Sequence, residues 1–271
     1  MRLTDLQYMA TNKKIGKVFL AGAGPGDADL ITVKLQKRLG EADVIITDRL
    51  VNPAIITANV KKDALILLAG KQGYNNDSYI QEKINRLIIE HALSGKTVVR
   101  LKGGDVAFFS NVLDELTALQ ENNIPFEIIP GITAASGASA YTGIPLTARG
   151  FAQGVQFITY NPGSDHTVEK WRALSASDDT LVFYMATKNV VSLIESLLLY
   201  SRPPEIPLAV IEQACTPHQR VHLSRLENGI KNFKDKTFSS PSLVIVGEVV
   251  KLHREFNWYN ISEPGTVFQK L

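Results

Sequence analysis

The sequence contains a single cysteine, Cys215, among its 271 residues. One cysteine excludes an internal disulfide and a thiolate metal cluster, and this scarcity is typical of a reducing cytoplasm. Long apolar runs are also missing: no stretch approaches the ~20 residues that span a bilayer, and residues 1–14 lack the apolar core of a signal peptide. We therefore expect a soluble, cytoplasmic protein that does not bind a membrane.

An excess of charge of one sign is absent as well. The 29 basic and 27 acidic residues leave a net charge of +2, which does not indicate a surface for nucleic acid. The histidines are dispersed and no acidic cluster accompanies them, so the sequence predicts no metal site.

Short β-branched runs alternate with segments of helical periodicity from Lys17 onward, and 45% of the residues are hydrophobic. This alternation predicts an α/β fold with a large buried core. We expect a first α/β domain at 15–141, whose mostly parallel five-stranded sheet carries helices on both faces. The predicted strands, each interpreted as a short buried run, are Lys17–Gly22, Val44–Thr47, Ala64–Ala69, Thr97–Leu101 and Phe126–Ile129.

A stretch of turn-forming residues without periodicity, 142–151, predicts a domain junction. Beyond it, five further strand candidates separated by helices predict a second α/β domain at 152–252, with a mixed sheet that includes hairpin pairing. Residues 1–14 are interpreted as an N-terminal extension and 253–271 as a C-terminal tail.

Glycine-rich segments follow three of the predicted strands: GAGPGD at 22–27, KGGD at 102–105 and PGITA at 130–134. Ligands of open α/β sheets collect beyond the carboxyl ends of the strands, although an isolated glycine-rich loop is as often an ordinary tight turn. A dinucleotide site is the natural alternative, but Asp27 stands at the third glycine position of its motif and Pro25 lacks an N–H. The loops therefore favour a ligand without phosphates, and Asp105 suits a cationic one.

With DRLV at 48–51, GKQG at 70–73 and the segment PGITAASGASAYTGIPLT at 130–147, these loops resemble the uroporphyrinogen-III C-methyltransferases of the tetrapyrrole methylase family. The resemblance covers roughly residues 16–250. It implies two α/β domains with the active site in the cleft between them, a homodimer, and S-adenosyl-L-methionine as the methyl donor, which leaves as S-adenosyl-L-homocysteine. No metal is implied, and the implied acceptor is a tetrapyrrole, uroporphyrinogen III, methylated to precorrin-2 for siroheme or corrinoid biosynthesis.

Matched position by position, the resemblance implies a proton acceptor at Asp48 and a proton donor at Lys71. Arg49 and Arg149 follow a strand or lie at the junction, where they could bind carboxylates of the substrate. Arg100 and Lys102 are further candidate cations beside the loops. The implied contacts to S-adenosylmethionine are Pro25, Gly103, Gly104, Asp105, Phe108, Thr133, Ala134, Met185 and Ala214.

The sequence departs from the family pattern at two positions and in one segment. Asn111 stands where relatives carry an arginine, TARGFA at 147–152 replaces a segment with a histidine, an acid and a tyrosine, and Ala214 replaces a glycine. The alternatives are therefore a methylase of a related precorrin or of another acceptor, and a homologue that binds the cofactor with weak or no turnover.

Overall fold

The computed structural model describes residues 14–69, 77–160, 167–260 and 263–268. It divides into two compact units, Met1–Ile132 with Val267–Leu271, and Thr133–Thr266. The first unit ends before the predicted junction at 142–151, so residues 133–141, which were expected in the first domain, lie in the second unit. The GKQG segment, with Lys71, falls outside the described residues.

The first unit contains a five-stranded parallel sheet in the order β3-β2-β4-β1-β5, which confirms the predicted fold class. Its strands are β1 Val18–Gly22, β2 Val44–Asp48, β3 Leu65–Ala69, β4 Val98–Lys102 and β5 Phe126–Ile129. Its helices are α1 Val33–Glu41, α2 Pro53–Asn59, α3 Asp77–Leu93 and α4 Val112–Glu121.

Successive residues of β4 alternate between two apolar layers, because side chains of a strand point to opposite faces of the sheet. Val99 and Leu101 pack with α1 and α2, whereas Val98 packs in the layer that also holds apolar side chains of α3 and α4. The same alternation assigns Arg100 and Lys102 to the face of Val98. Two charged residues are thus built into the buried central strand.

The expectation that β3 is a buried strand is wrong. β3 is the edge strand of the sheet, and Leu65, Ile66 and Leu68 are 46%, 50% and 53% exposed. A short apolar run can form either an edge strand or a central strand, and periodicity alone does not distinguish these two positions.

Glu127 on β5, at the opposite edge, forms ion pairs with Lys17 and Lys34. Hydrogen bonds from Lys17 and then from Lys34 lower the pKa of Glu127 from 4.5 to about 2. Because the pKa is lower in the folded state, the ion pairs stabilise the protein above pH 4.5, and the contribution is lost as the pH falls towards 2.

We expect the urea midpoint of Glu127→Gln to lie slightly below that of the wild type at pH 6, and the difference to disappear near pH 2. The effect is small because both lysines are about half exposed. Urea titrations of both proteins across this range check the prediction, and a difference that persists undiminished at pH 2 would contradict it.

The second unit contains a mixed five-stranded sheet in the order β6-β7-β10-β8-β9, as predicted. Its strands are β6 Val155–Thr159, β7 Thr180–Tyr184, β8 Pro207–Glu212, β9 Arg220–Arg225 and β10 Ser242–Val246. Its helices are α5 Ala134–Thr142, α6 Val168–Ala176, α7 Val190–Leu199, α8 Leu226–Phe233 and α9 His253–Phe256. β10 runs antiparallel to both β7 and β8, so the carboxyl ends of β7 and β8 lie at the same edge of this sheet.

The segment interpreted as a C-terminal tail packs against α5. The buried imidazole of His253 bonds through Nδ1 to the carbonyl of Thr142, and Trp258 Nε1 donates to the carbonyl of Ala140 at 2.8 Å. Of the helices in the described ranges, none combines the length and the apolar character needed to cross a membrane.

Candidate functional site

Three turns that follow β1, β4 and β5 meet at the carboxyl edge of the parallel sheet. We call residues 22–27, 103–105 and 130–132 the glycine turns. β1 lies between β4 and β5, and the backbones of Gly24 and Gly104 exchange N–H···O bonds of 3.0 and 2.8 Å. A Cβ on Gly22 would lie 2.5 Å from the Gly104 oxygen, and one on Gly131 would lie 2.8 Å from the Gly22 carbonyl carbon. The turns therefore pack backbone against backbone, which only glycine allows.

Asp105 fixes two of the glycine turns to each other. Its side chain accepts from the N–H of Ala107 and from the N–H of Gly131, both at 2.7 Å, and the residue is 7% exposed. Each carboxylate oxygen is therefore bonded to a backbone amide, one of them from the turn after β5. Asp105 therefore holds the turn after β5 against the turn after β4 through its hydrogen bonds. Its direct contact with a cationic ligand stays a prediction.

A buried charge network lies beside the glycine turns. It consists of Asp48 at the end of β2, Arg100 and Lys102 on β4, and Glu115 on α4. Arg100 Nε donates to Glu115 Oε1 at 2.8 Å and its NH2 group donates to Asp48 Oδ1 at 2.7 Å, while Lys102 Nζ lies 3.0 Å from Glu115 Oε2. Arg100, Lys102 and Glu115 have side chains 0–5% exposed, whereas that of Asp48 is 28% exposed.

The network corrects the expectation that Arg100 and Lys102 are cations available to a substrate. Both are buried and paired with Glu115. Burial alone would lower the pKa of Arg100, but the carboxylates of Asp48 and Glu115 outweigh the desolvation and raise it. The guanidinium therefore stays charged and pairs with carboxylates of the protein, Asp48 and Glu115.

The two predicted substrate arginines differ from Arg100 and Lys102 in their surroundings. Neither Arg49 nor Arg149 forms an ion pair with a residue that the structure describes, and Arg49 is half-buried while Arg149 is exposed. Arg149 lines a cavity of about 420 Å³ in the second unit. The other lining residues are Thr147, Ala148, Gly150, Ala152 and Gln153. An exposed guanidinium at such an open pocket, without an ion pair to a described residue, is suited to a carboxylate ligand.

In the second unit, the hydroxyl of Tyr184 organises the start of α5. It lies 2.7 Å from Thr133 Oγ1 and accepts from the N–H of Ala135 at 3.1 Å. Thr133 is the N-cap residue of α5 but makes no side-chain cap bond of its own. Tyr184 thus supplies the missing cap and links one of the predicted cofactor contacts, Thr133, to the end of β7. The other predicted contact in this segment, Ala134, lies between the two residues that Tyr184 bonds.

We expect Tyr184→Phe to lower the free energy of unfolding of the second unit by about 1–3 kcal/mol, because the buried N–H of Ala135 loses its acceptor. Denaturant titration monitors the loss. Tyr200→Phe is the matched control, since the ring of Tyr200 stacks on Trp171 in another part of this unit. Equal midpoints for Tyr184→Phe and the wild type would show that the hydroxyl does not cap the helix.

The loops after β7 and β8 hold non-glycine residues in the left-handed region. Met185 has φ 58° and is 62% exposed, and Ala214 is flanked by Gln213 at φ 46° and Cys215 at φ 62°. Such conformations are costly and concentrate at functional sites. Met185 is therefore not part of the apolar core of this unit.

The remaining predicted positions lie in the first unit. Pro25 is buried within the turn after β1, and Phe108 is 38% exposed beyond the turn after β4. Asn111 adopts φ 52° at the start of α4, where its Nδ2 donates to Asp114 Oδ2 at 2.6 Å. The described residues contain no group of three or more His, Cys, Asp or Glu that could hold a metal ion.

Comparison with known proteins agrees with this arrangement. A family model of the Tetrapyrrole (Corrin/Porphyrin) Methylases matches residues 17–228. The chain belongs to this family. A siroheme synthase of Pseudomonas paraeruginosa is 43% identical over 260 residues, which are 96% of this chain and 55% of the relative. A siroheme synthase of Vesicomyosocius okutanii is 39% identical over 94% of this chain and 55% of the relative.

Solved structures of tetrapyrrole methylases are similar over most of the chain. A uroporphyrin-III-C-methyltransferase of Thermus thermophilus has a TM-score of 0.73 at 34% identity, covering 90% of this chain and 97% of the other. A structure of the Thermus protein complexed with S-adenosylhomocysteine has a TM-score of 0.72 at 33% identity, covering 88% and 94%. The chain spans about half the length of the curated siroheme synthases that it matches.

Sequence reasoning missed the roles of Tyr184 and Glu115. Tyr184 is one of several apolar and aromatic residues in its strand, and no sequence motif indicates a role for its hydroxyl. Glu115 carried a signal, because a carboxylate on a helix beside a strand that contains two cations is a natural partner for them. That signal becomes usable only once α4 is known to cover the same face as Arg100 and Lys102.

Proposed function

We propose that the chain transfers methyl groups from S-adenosyl-L-methionine to carbon atoms of uroporphyrinogen III and so forms precorrin-2 for siroheme or corrinoid biosynthesis. The observation that carries the proposal is the convergence of the glycine turns at one edge of the first sheet. Membership of the tetrapyrrole methylases and the similarity to a methyltransferase that binds S-adenosylhomocysteine support it.

The residues present fit this cofactor. The close packing of the glycine turns leaves main chain, not side chains, at this edge of the sheet, and Gly103, Gly104 and Gly131 are partly exposed there. A flat or extended ligand can approach such backbone closely because glycine has no Cβ. Nearly all the proposed contacts are backbone or apolar groups, among them Gly103, Gly104 and Ala134, as a ligand without phosphates requires. When bound, S-adenosylmethionine supplies a methyl group activated by positive sulfur, and no metal is needed for that transfer.

Asp48 and the two free arginines have distinct roles in the proposal. Asp48 accepts the proton that a methylated ring releases as it returns to neutrality, directly or through water. Arg49 and Arg149 bind carboxylates of the substrate, since neither is neutralised by a described partner. Lys71 remains the proposed proton donor. The reaction thereby depends on orientation and on one proton transfer, which a positioned carboxylate can manage.

The proposal extends to the setting of the protein. We propose a homodimer that works in the cytoplasm on a small tetrapyrrole, without nucleic acid or membrane as a partner. Sedimentation of the purified chain with and without S-adenosylhomocysteine tests the dimer.

The decisive experiment has two stages. Calorimetric titration is expected to show binding of S-adenosylhomocysteine and none of NAD, and methyl transfer from labelled S-adenosylmethionine to uroporphyrinogen III is then followed under reducing conditions. Asp48→Asn is expected to keep the affinity for S-adenosylhomocysteine and to lower kcat by about 100- to 10,000-fold, as removal of a general base does. Preference for NAD would reject the cofactor, and binding without any transfer to uroporphyrinogen III would reject the substrate.

A second candidate function rests on the departures at Asn111 and at 147–152. Asn111 donates a hydrogen bond to Asp114 in this chain. Its side chain is shorter than the arginine of relatives and carries no positive charge, so it cannot replace that arginine. This favours a related precorrin or another acceptor, or a protein that binds the cofactor with weak turnover. Transfer to another precorrin, with none to uroporphyrinogen III, would favour the first of these. Tight S-adenosylhomocysteine binding with no transfer to any tetrapyrrole would favour the second.

A further inference from the structure

Asp48 is held by one of its two carboxylate oxygens. Oδ1 receives the 2.7 Å bond from the NH2 group of Arg100, and Oδ2 has no hydrogen-bond partner among the residues that the structure describes. The side chain is 28% exposed. Asp48 therefore combines a fixed inner oxygen with an outer oxygen that remains available to a ligand.

The guanidinium that fixes Asp48 is itself fixed from behind. Arg100 bonds through Nε to Glu115 and through NH1 to the carbonyl of Leu101 at 3.2 Å. The side chain of Arg100 is 3% exposed, so its planar fork has no room to reorient in solvent. Three nitrogens of one rigid group are thus bonded to β2, β4 and α4, which sets the direction of the bond to Asp48.

Lys102 completes the arrangement by balancing the charge on Glu115. Glu115 accepts from Arg100 with Oε1 and from Lys102 with Oε2, and its side chain is fully buried. The charged groups that face Arg100 are Asp48 and Glu115, and the charged groups that face Glu115 are Arg100 and Lys102. A buried cluster of two cations and two anions is neutral as a whole, which lets it persist away from water.

We infer that Arg100 is a positioning residue for methyl transfer. Arg100 orients the carboxylate of Asp48 so that its free oxygen faces the proton to be removed, and Glu115 and Lys102 hold Arg100 in place. The inference rests on the proposed function, because it assigns Arg100 a role through Asp48. Arg100 does not touch the substrate. Its effect on the reaction is confined to the orientation of one carboxylate.

Arg100→Lys tests the inference, because lysine keeps the charge but is a single point donor that cannot hold Asp48 and Glu115 in one plane. We expect kcat for methyl transfer to fall by about 10- to 100-fold, the penalty for a catalytic group displaced by about 1 Å. KM for S-adenosylmethionine and the affinity for S-adenosylhomocysteine are expected to stay within about twofold, since the glycine turns are untouched. Arg38→Lys is the matched control, because Arg38 forms an exposed pair with Glu41 on α1.

A double-mutant cycle separates positioning from general damage. If Arg100 acts through Asp48 alone, Arg100→Lys added to Asp48→Asn produces less than about a twofold further loss of kcat. A full additional 10- to 100-fold loss in that background would overturn the inference. So would an unchanged kcat in Arg100→Lys alone, or a fall in affinity for S-adenosylhomocysteine equal to the fall in kcat.

Lys102→Met provides a second test if Arg100→Lys does not fold. It keeps the length and the apolar stem of the side chain and leaves Arg100 intact, so we expect kcat to fall in the same direction by a smaller factor, about 3- to 10-fold. An unchanged kcat would overturn the role of the cluster. Failure of the proposed function has a different signature: the wild type itself would then transfer no methyl group to uroporphyrinogen III. In that case a crystal structure of Arg100→Lys still decides whether the Asp48 carboxylate turns, and an unmoved carboxylate overturns the inference.

Discussion

Glu115→Ala is expected to lower the free energy of unfolding of the first unit by about 3–5 kcal/mol. The carboxylate is fully buried and accepts from both Arg100 and Lys102. Its removal leaves buried Arg100 with Asp48 as its charged partner and leaves buried Lys102 without one among the residues that the structure describes. A buried charge without compensation is among the largest penalties that a single substitution causes. Guanidinium titration monitored by circular dichroism measures the loss.

The position of the unpaired charge should decide the size of this effect. Glu41→Ala removes the partner of Arg38 on the surface of α1, where water solvates the freed guanidinium, and we expect its midpoint to match that of the wild type. Glu115→Gln keeps the volume but presents an NH2 group to one of two donors, so it should fall between Glu115→Ala and the wild type. A loss below about 1 kcal/mol for Glu115→Ala would show that the cluster is relieved by water or by rearrangement.

The alternation of β-branched runs and helical periods is a local property, and the α/β fold class could be predicted from it. Each strand of the first unit is short, apolar and bounded by polar or glycine residues, and the structure contains all five. The mixed sheet of the second unit was predicted in the same way. Their order could not be read from the chain, because the order β3-β2-β4-β1-β5 depends on which strands meet in space.

The spatial arrangement of strands and helices also explains why the expectation that Arg100 and Lys102 are available to a substrate is wrong. The sequence shows two cations near a glycine turn, where a ligand was expected, and in this respect the interpretation as anion-binding residues was reasonable. Their spacing of two residues within a buried strand was the available counter-signal, since it puts both on one covered face. Only the packing of α4 against that face reveals that Glu115 meets them.

The backbone conformation of the loops after β7 and β8 could not be predicted from the sequence either. Met185, Gln213 and Cys215 have positive φ without being glycine, and none of these letters predicts it. The resemblance to tetrapyrrole methylases places Met185 and Ala214 at the cofactor. The strained, exposed Met185 is independent physical support for the resemblance, because such strain persists where function requires it.

The glycine turns allow the sharpest test of the proposed cofactor site, through Gly131→Ala. A Cβ at Gly131 would lie 2.8 Å from the Gly22 carbonyl carbon and would also overlap the Gly104 oxygen. These contacts are with backbone, so no side chain can move aside, and the turns must separate. We expect the affinity for S-adenosylhomocysteine to fall by at least about 100-fold, a misplacement penalty of the size that binding sites show for shifts near 1 Å. The free energy of unfolding should fall by about 1–3 kcal/mol, as in other overpacked sites.

Gly40→Ala is the matched control, because it adds the same methyl group in a different environment. Gly40 lies in α1, where the nearest atom to an added Cβ is the Asn59 oxygen at 3.8 Å. Alanine in a helix is favoured over glycine, so this variant should gain about 0.5–1 kcal/mol of stability and bind S-adenosylhomocysteine as the wild type does. If Gly131→Ala binds with wild-type affinity, the contact between the glycine turns is irrelevant to the ligand. If it loses binding while most of its stability remains, the close approach of the three turns is what shapes the site.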